Sequence, residues 1–175
     1  IRRVYIVEAS VVTAVGDTLT DTWMSIARGR SGVGRVQRFS TEKYESHIAA
    51  TITDLKREGD RSMICDILDR VCDPMKDIPR DANLLTATAK LGIDNLERMT
   101  QNAAVCMSDM LPAYMPKLIS EKFGLKHSGV NVSASCASST VALAQASNMI
   151  ANSSTDSFLV CCADIVSEFT FSGYS

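Results

Sequence analysis

Residues 158–163, Phe-Leu-Val-Cys-Cys-Ala, form an uninterrupted apolar run close to the carboxyl end of the chain. A strand with one face in water alternates apolar and polar residues, whereas a strand covered on both faces is apolar throughout. The run is also far too short to cross a bilayer as a helix. It therefore predicts a fully covered strand in a layered α/β fold with a mostly parallel sheet.

Hydrophobic spacing along the rest of the chain predicts alternating strands and helices, which favours the same fold class. The predicted strands are 3–9, 47–52, 103–107 and Val130–Val132. The predicted helices are an amphipathic one from Leu19 that ends at Gly29, then 81–98, 114–123 and 137–151. Residues 54–80 are charged and contain two prolines, so they are predicted to be a surface excursion with one helical turn around 63–71.

Composition places the chain among ordinary core-forming domains. It has 175 residues, 46% of them hydrophobic and 22% charged, with a formal net charge of −2. These values exclude a disordered tail and a polybasic surface for nucleic acid. The apolar residues 4–7 are interrupted by Glu8, unlike a signal peptide, so we expect a cytoplasmic protein with reduced cysteines and no membrane segment.

Cys136 is the candidate nucleophile, because small residues surround it between a predicted strand and a predicted helix. A sharp strand-to-helix turn presents a side chain, and a helix amino terminus stabilises a thiolate. Eight of the fifteen residues 137–151 are Ala or Ser, which predicts a helix buried on all sides and a nucleophile deep in a pocket. The alternative is that Cys136 is merely a small buried residue.

Other chemistry-bearing residues suggest no metal and no cofactor. The glycines at 29, 32 and 34 follow a helix, whereas a dinucleotide-binding loop follows a strand. His47 and His127 are predicted to be structural or exposed. A solvated acidic face, not a metal site, is predicted for Asp60, Asp66, Asp69, Asp73 and Asp77.

Residues 132–139, Val-Ser-Ala-Ser-Cys-Ala-Ser-Ser, resemble the active-site motif of the β-ketoacyl synthases, the condensing enzymes of fatty-acid and polyketide assembly. The resemblance is collinear along the chain. It includes residues 3–16, Trp23, 29–33, 38–39, 48–50, 123–126, 163–164 and 171–175. The chain departs from the family pattern at Ala14, at His127 and Ser128, and in a shortened stretch between Met107 and Tyr114.

The resemblance implies a thiolase-like layered α/β fold built from two repeated halves. Residues 1–175 correspond to the first half, the N-terminal β-ketoacyl synthase domain. In the family, two catalytic histidines and a supporting lysine lie in the second half, and neither His47 nor His127 matches them. We therefore expect this chain alone to be inactive in condensation, and unstable because an apolar face is uncovered.

The implied reaction is a decarboxylative Claisen condensation without a metal or redox cofactor. Cys136 would take an acyl group from a thioester, and a malonyl thioester would add to it, with the Cys136 N–H in an oxyanion hole. The implied partners are an acyl carrier protein, acyl and malonyl thioesters, and a second subunit that meets residues 158–164 in a homodimer or heterodimer. Neither nucleic acid nor membrane is expected as a partner.

Three alternatives remain open at this point. The chain could be a non-catalytic partner subunit of the chain-length-factor type, although such partners usually lack the cysteine. It could be a cysteine acyltransferase or thioesterase that takes its base from another chain. It could also be a thiolase-like enzyme, which would use free coenzyme A.

Overall fold

The structure, a computed structural model, describes residues 2–174. The helices are α1 Leu19–Ala27, α2 Ile64–Cys72, α3 Asp94–Thr100, α4 Met115–Phe123, α5 Ser138–Ala151 and α6 Glu168–Ser172. The strands are β1 Val33–Arg35, β2 Ile48–Ala50, β3 Asn83–Ala87, β4 Val130–Val132 and β5 Phe158–Cys162. Single turns of 3₁₀ helix lie at Met107–Met110, Pro112–Tyr114 and Ser135–Ala137.

The central sheet has the order β4-β3-β5, and both strand pairs are parallel. Leu85 of β3 lies opposite Val130 on one side and Val160 on the other. Because all three strands run the same way, their carboxyl ends share one edge, where Cys136 follows β4 and Asp164 follows β5. The predicted parallel sheet is confirmed.

Several predicted elements are confirmed by local physical signals. Helix α1 begins after Thr18, whose hydroxyl accepts a hydrogen bond from the Asp21 N–H, a standard amino-terminal cap. Helix α4 ends at Gly124, whose φ of 60° lies in the left-handed region that glycine adopts without strain. The strands predicted at 47–52, Val130–Val132 and 158–163 also form, and β2 pairs with β1 in an antiparallel hairpin.

The helical segment predicted around 63–71 forms, but residues 54–80 are more than a surface excursion, which corrects the sequence prediction. Helix α2 lies within them, and its side chains at Ile64, Ile67, Leu68 and Cys72 are buried in the main core. The core also contains Leu91, Met115 and Ile119. The charged residues of α2 occupy its other side, where Arg70 pairs with Asp66 and Asp54. The high charge reflects an amphipathic helix that covers the core.

The long helix predicted at 81–98 is wrong: the segment is strand β3 followed by helix α3. Leu84, Leu85, Thr86 and Ala87 are all buried, because β3 lies in the middle of the sheet with a strand on each side. A short run of apolar residues is compatible with either a helix or a strand, and here the neighbouring strands decide between them.

The strands predicted at 3–9 and 103–107 are also wrong. Residues 2–12 belong to no strand, and Tyr5 and Val7 are 71% and 95% exposed, because no described strand pairs with them. In the second segment, the Cys106 N–H donates to the Asp60 carbonyl, and the Cys106 carbonyl accepts from the side-chain amide of Asn95. These bonds hold residues 103–107 against a loop and α3, so no ladder forms.

Helix α1 packs with its polar side inward. Ser25 and Thr22 are buried, and the Ser25 hydroxyl donates to the Val15 carbonyl at 2.7 Å. The apolar side chains of Leu19, Trp23 and Ile26 are exposed. The helix is amphipathic as predicted, but within the described residues its apolar face has no cover. None of the helices from residue 2 to residue 174 is long and apolar enough to cross a membrane.

Candidate active site

The turn between β4 and α5 carries Cys136. Ser135, the residue before it, has a backbone φ of +51°, which lies in the left-handed region that residues other than glycine rarely adopt. A single 3₁₀ turn at Ser135–Ala137 then leads into α5. Strained backbone of this kind persists only where surrounding bonds impose it, and it concentrates at functional sites.

Backbone and side-chain hydrogen bonds close this turn. The Ala137 N–H donates to the Ala134 carbonyl at 3.0 Å, and the Ser138 N–H donates to the Ser135 carbonyl. The Ser138 hydroxyl accepts from the Ala134 N–H at 2.8 Å and donates to the Ser135 carbonyl at 2.7 Å. The Cys136 N–H takes part in none of these bonds. The turn is therefore fixed on both sides of Cys136.

Cys136 lies at the strand-to-helix junction, as predicted, and its side chain is exposed. The prediction that α5 is buried on all sides is wrong. Of the residues of α5, only Ser138, Ala142 and Ala146 are buried. The two alanines pack against Leu85 and Ala87 of β3. The small residues allow close approach of the helix to the sheet, but no other described segment covers the remaining faces. The deep pocket expected around the cysteine is accordingly not present in the described part of the chain.

A polar network joins the three strand ends at the edge that carries Cys136. The carboxylate of Asp164 accepts from the Thr88 hydroxyl at 2.9 Å and from the N–H groups of Ala89 and Lys90. The Asn131 side chain accepts from the Thr86 hydroxyl at 2.9 Å and donates to the Thr88 carbonyl. Sequence reasoning missed this network because it placed Thr86 and Thr88 on a helix.

A second polar cluster lies in the core around two buried aspartates. Asp109 accepts from the Arg61 side chain at 2.9 Å and from the Ser62 N–H at 2.8 Å. Asp94 accepts from the Ser62 hydroxyl and pairs with Arg57 at 2.9 Å. Each buried carboxylate thus has a cation and further donors, the condition under which buried charge is tolerated.

Three of the other cysteines have surroundings that keep the thiol protonated. Burial and the neighbouring Asp109 carboxylate raise the pKa of Cys65 to about 12. A hydrogen bond with Cys72, together with burial, raises the pKa of Cys161. Partial desolvation and the nearby Asp164 raise the pKa of Cys162, whose side chain is nevertheless exposed. Since the thiolate is the nucleophile, these three positions are poor candidates for covalent chemistry.

Both histidines are exposed, and three of the acidic residues considered in the sequence form ion pairs. His47 is exposed, with Nδ1 at 3.1 Å from the Thr41 carbonyl, and His127 is exposed in the loop after α4. Of the acidic residues, Asp69 and Asp73 pair with Lys122, and Asp66 pairs with Arg70.

Comparison with known proteins decides the family. The sequence profile described as "Beta-ketoacyl synthase, N-terminal domain" matches residues 80–175. The chain belongs to the β-ketoacyl synthase family. The matched region contains the central sheet, Cys136 and α5, which is the part of the fold just described.

Two known proteins are also similar to this chain. The curated 3-oxoacyl-[acyl-carrier-protein] synthase 2 of Coxiella burnetii (strain RSA 493 / Nine Mile phase I) is 36% identical over 53 residues, which are 30% of this chain and 13% of that protein. A chain from the solved complex of a ketosynthase (ApeO) with its chain length factor (ApeC) from Xenorhabdus doucetiae superposes with a TM-score of 0.73 at 14% identity. The match covers 97% of this chain and 49% of that one.

The structural likeness confirms the predicted thiolase-like α/β fold. This β-ketoacyl synthase chain spans about half the length of the solved relative. Because the sequence identity to that relative is only 14%, the likeness extends to the fold and to no individual residue.

Proposed function

We propose that this chain is the N-terminal domain of an acyl-thioester condensing enzyme, and that Cys136 is its acyl-accepting nucleophile. The observation that carries the proposal is the turn after β4, which presents an exposed thiol beside a left-handed residue. Family membership supports the same reaction class. The raised pKa values of Cys65, Cys161 and Cys162 disfavour those three thiols, and Cys72, whose pKa a hydrogen bond with Cys161 lowers, is buried away from substrate.

In the first proposed step, the Cys136 thiolate attacks the carbonyl carbon of an acyl thioester. A carbon–sulfur bond to Cys136 forms, the bond to the donor sulfur breaks, and the donor leaves as a thiolate that takes up a proton. The negative charge that develops on the carbonyl oxygen needs a donor, and the Cys136 N–H, which is outside the turn's own bonds, is suited to supply one.

In the second proposed step, a malonyl thioester loses carbon dioxide and leaves a carbanion. The carbanion attacks the carbonyl carbon of acyl-Cys136, a carbon–carbon bond forms, and the Cys136 thiolate is released. This step creates charge on two oxygens, and removing one stabilising donor typically costs about 10²–10³ in rate. The exposed His47 and His127 are not positioned by the family motif to serve, so the proposal assigns this role to groups outside residues 1–175.

The proposed enzyme receives acyl groups from an acyl carrier protein and works as a homodimer or heterodimer. Association is supported by β5, which pairs with β3 on one side and lies at an edge of the described sheet. Its five residues carry no charge, and an apolar open edge favours pairing with another chain. Sedimentation of the full-length protein is expected to give a dimer, and a stable monomer would contradict this part of the proposal.

The central experiment measures acyl transfer to the full-length protein by intact mass. Acyl carrier protein loaded with a short acyl chain is expected to transfer it to the wild type, and Cys136→Ala is expected to lose at least about 10³-fold in rate because the nucleophile is gone. Cys106→Ala is the matched control and is expected to keep the wild-type rate. Loading that persists in Cys136→Ala would refute the assignment.

The same assay separates the alternatives. A wild-type protein that accepts no acyl group would favour a non-catalytic partner subunit. Transfer from acyl-coenzyme A but not from the carrier protein would favour a thiolase-like enzyme. Hydrolysis of the acyl-Cys136 thioester without carbon–carbon bond formation, in the presence of malonyl carrier protein, would favour a thioesterase.

A further inference from the structure

Ser138, the first residue of α5, has a buried hydroxyl with two partners in the turn that carries Cys136. Ser138 is 4% exposed, whereas the nearby Cys136 and Ser139 are both exposed. A buried hydroxyl needs partners, and this one satisfies a donor and an acceptor of the same turn.

The two bonds reach backward across the nucleophile. The Ser138 hydroxyl accepts from the Ala134 N–H and donates to the Ser135 carbonyl, so both partners precede Cys136 while Ser138 follows it. Ser135 is the residue with the left-handed φ of +51°. Such a conformation relaxes unless bonds around it impose it, and the Ser138 hydroxyl supplies two of them.

We propose that Ser138 is a positioning residue that holds the Ser135 turn in its left-handed form and so fixes the place of Cys136 for acyl transfer. The inference rests on the proposed function of Cys136. It assigns Ser138 no contact with substrate: its hydroxyl is directed into the turn, and both of its hydrogen bonds are made to backbone. The consequence is a selective effect on the rate of the covalent step.

The test compares Ser138→Ala with Ser147→Ala in the full-length protein. Ser147 lies on the same helix outside the motif, is exposed, and within residues 2–174 its hydroxyl makes no hydrogen bond, so Ser147→Ala is expected to keep the wild-type rate. Ser138→Ala is expected to lower kcat for acyl transfer to Cys136 about ten- to a hundredfold, because small displacements of a reacting atom carry costs of this size. KM for acyl carrier protein is expected to stay unchanged, and kcat is calculated per folded molecule, with the folded fraction measured by circular dichroism, because a smaller folded fraction alone would also lower kcat.

Two further variants make the test independent of how well Ser138→Ala folds. Ser138→Thr keeps a hydroxyl on the same carbon and is expected to keep the wild-type kcat; a tenfold loss in this folded variant would overturn the proposal. The double variant Ser135→Gly/Ser138→Ala is expected to recover part of the loss, since glycine adopts a positive φ without strain.

The failures of the two proposals are distinguishable. If the wild type accepts no acyl group, or Cys136→Ala still accepts it, the proposed function fails and the role of Ser138 fails with it. If the wild type is acylated at Cys136 but Ser138→Ala matches Ser147→Ala, only the positioning role is refuted. A double variant with no recovery relative to Ser138→Ala would also refute it.

Discussion

Helices α2 and α5 each carry a cysteine near the amino end, and the two thiols have opposite surroundings. Cys65 is the second residue of α2; Arg61 donates to its sulfur at 3.0 Å, and the Asp109 carboxylate lies 3.7 Å away. Cys136 precedes α5 by two residues and is exposed on a turn held by backbone and Ser138. The two helices also differ in burial: α2 covers the core, while α5 buries only one narrow face.

The comparison shows that a helix amino terminus does not by itself create a reactive thiol. The favourable field of the helix end is modest and short-ranged. At Cys65 it is outweighed by burial and by the Asp109 carboxylate, which raise the pKa to about 12. At Cys136 the proposed reactive role depends instead on exposure and on the shape of the turn. The two cysteines therefore differ in what surrounds each of them.

The largest expected effect is in thiol alkylation. With a pKa of about 12, Cys65 has about one thiolate in 10⁴ at pH 8, so it should react about 10³-fold slower than an exposed thiol of ordinary pKa. Because the pKa is raised, its rate should increase about tenfold per pH unit between pH 7 and 9. Mass-spectrometric labelling of the full-length protein measures both cysteines together.

Cys136 is expected to be labelled first, and Cys136→Ser should remove the fast phase. Labelling of Cys65 as quickly as Cys136 at neutral pH would contradict the contrast between the two helix ends.

The next largest effect is on stability. Ile64 of α2 is completely buried, so Ile64→Ala should lower the free energy of unfolding by about 3 kcal/mol through lost burial and a cavity. Leu143 of α5 is 50% exposed, and Leu143→Ala should cost less than about 1 kcal/mol. Urea unfolding of the full-length protein measures both. Equal losses would show that Leu143 is buried as completely as Ile64, which would contradict the difference between the two helices.

A smaller effect is expected from the carboxylate beside Cys65. Asp109→Asn keeps the shape but removes the charge that pairs with Arg61, so the free energy of unfolding should fall by about 2 kcal/mol. Asp69→Asn is the matched control: Asp69 is exposed and its partner Lys122 retains Asp73, so the change should be within about 0.5 kcal/mol. Chemical denaturation measures both, and similar values for the pair would contradict the buried role of Asp109.

The sequence predicts well where a single local signal decides the structure. Thr18 caps α1, Gly124 ends α4, and the apolar run at 158–163 forms β5 as expected. The position of Cys136 between β4 and α5 also follows from local sequence. Prediction fails where a segment has two acceptable local structures: residues 83–87 suit a helix or a strand, and only the strands on both sides select β3.

Burial is the property that residue type predicted least reliably. The charged segment 54–80 contains the core helix α2, while the small-residue helix α5 is exposed on most faces. Small residues indicate how closely a neighbouring element can pack, and charged residues indicate which side of a helix faces water. Neither pattern indicates whether a neighbouring element is present to bury the helix.

By itself, the sequence determined the succession of α4, β4, α5 and β5 and the cysteine at a strand-to-helix junction, because each depends on residues close together in the chain. Only the tertiary structure decided that Asp94 and Asp109 are buried with Arg57 and Arg61 as partners. It also decided that the Ser138 hydroxyl closes the turn around Cys136. These features join residues across the fold or depend on one backbone angle, and hydrophobic spacing carries no information about either.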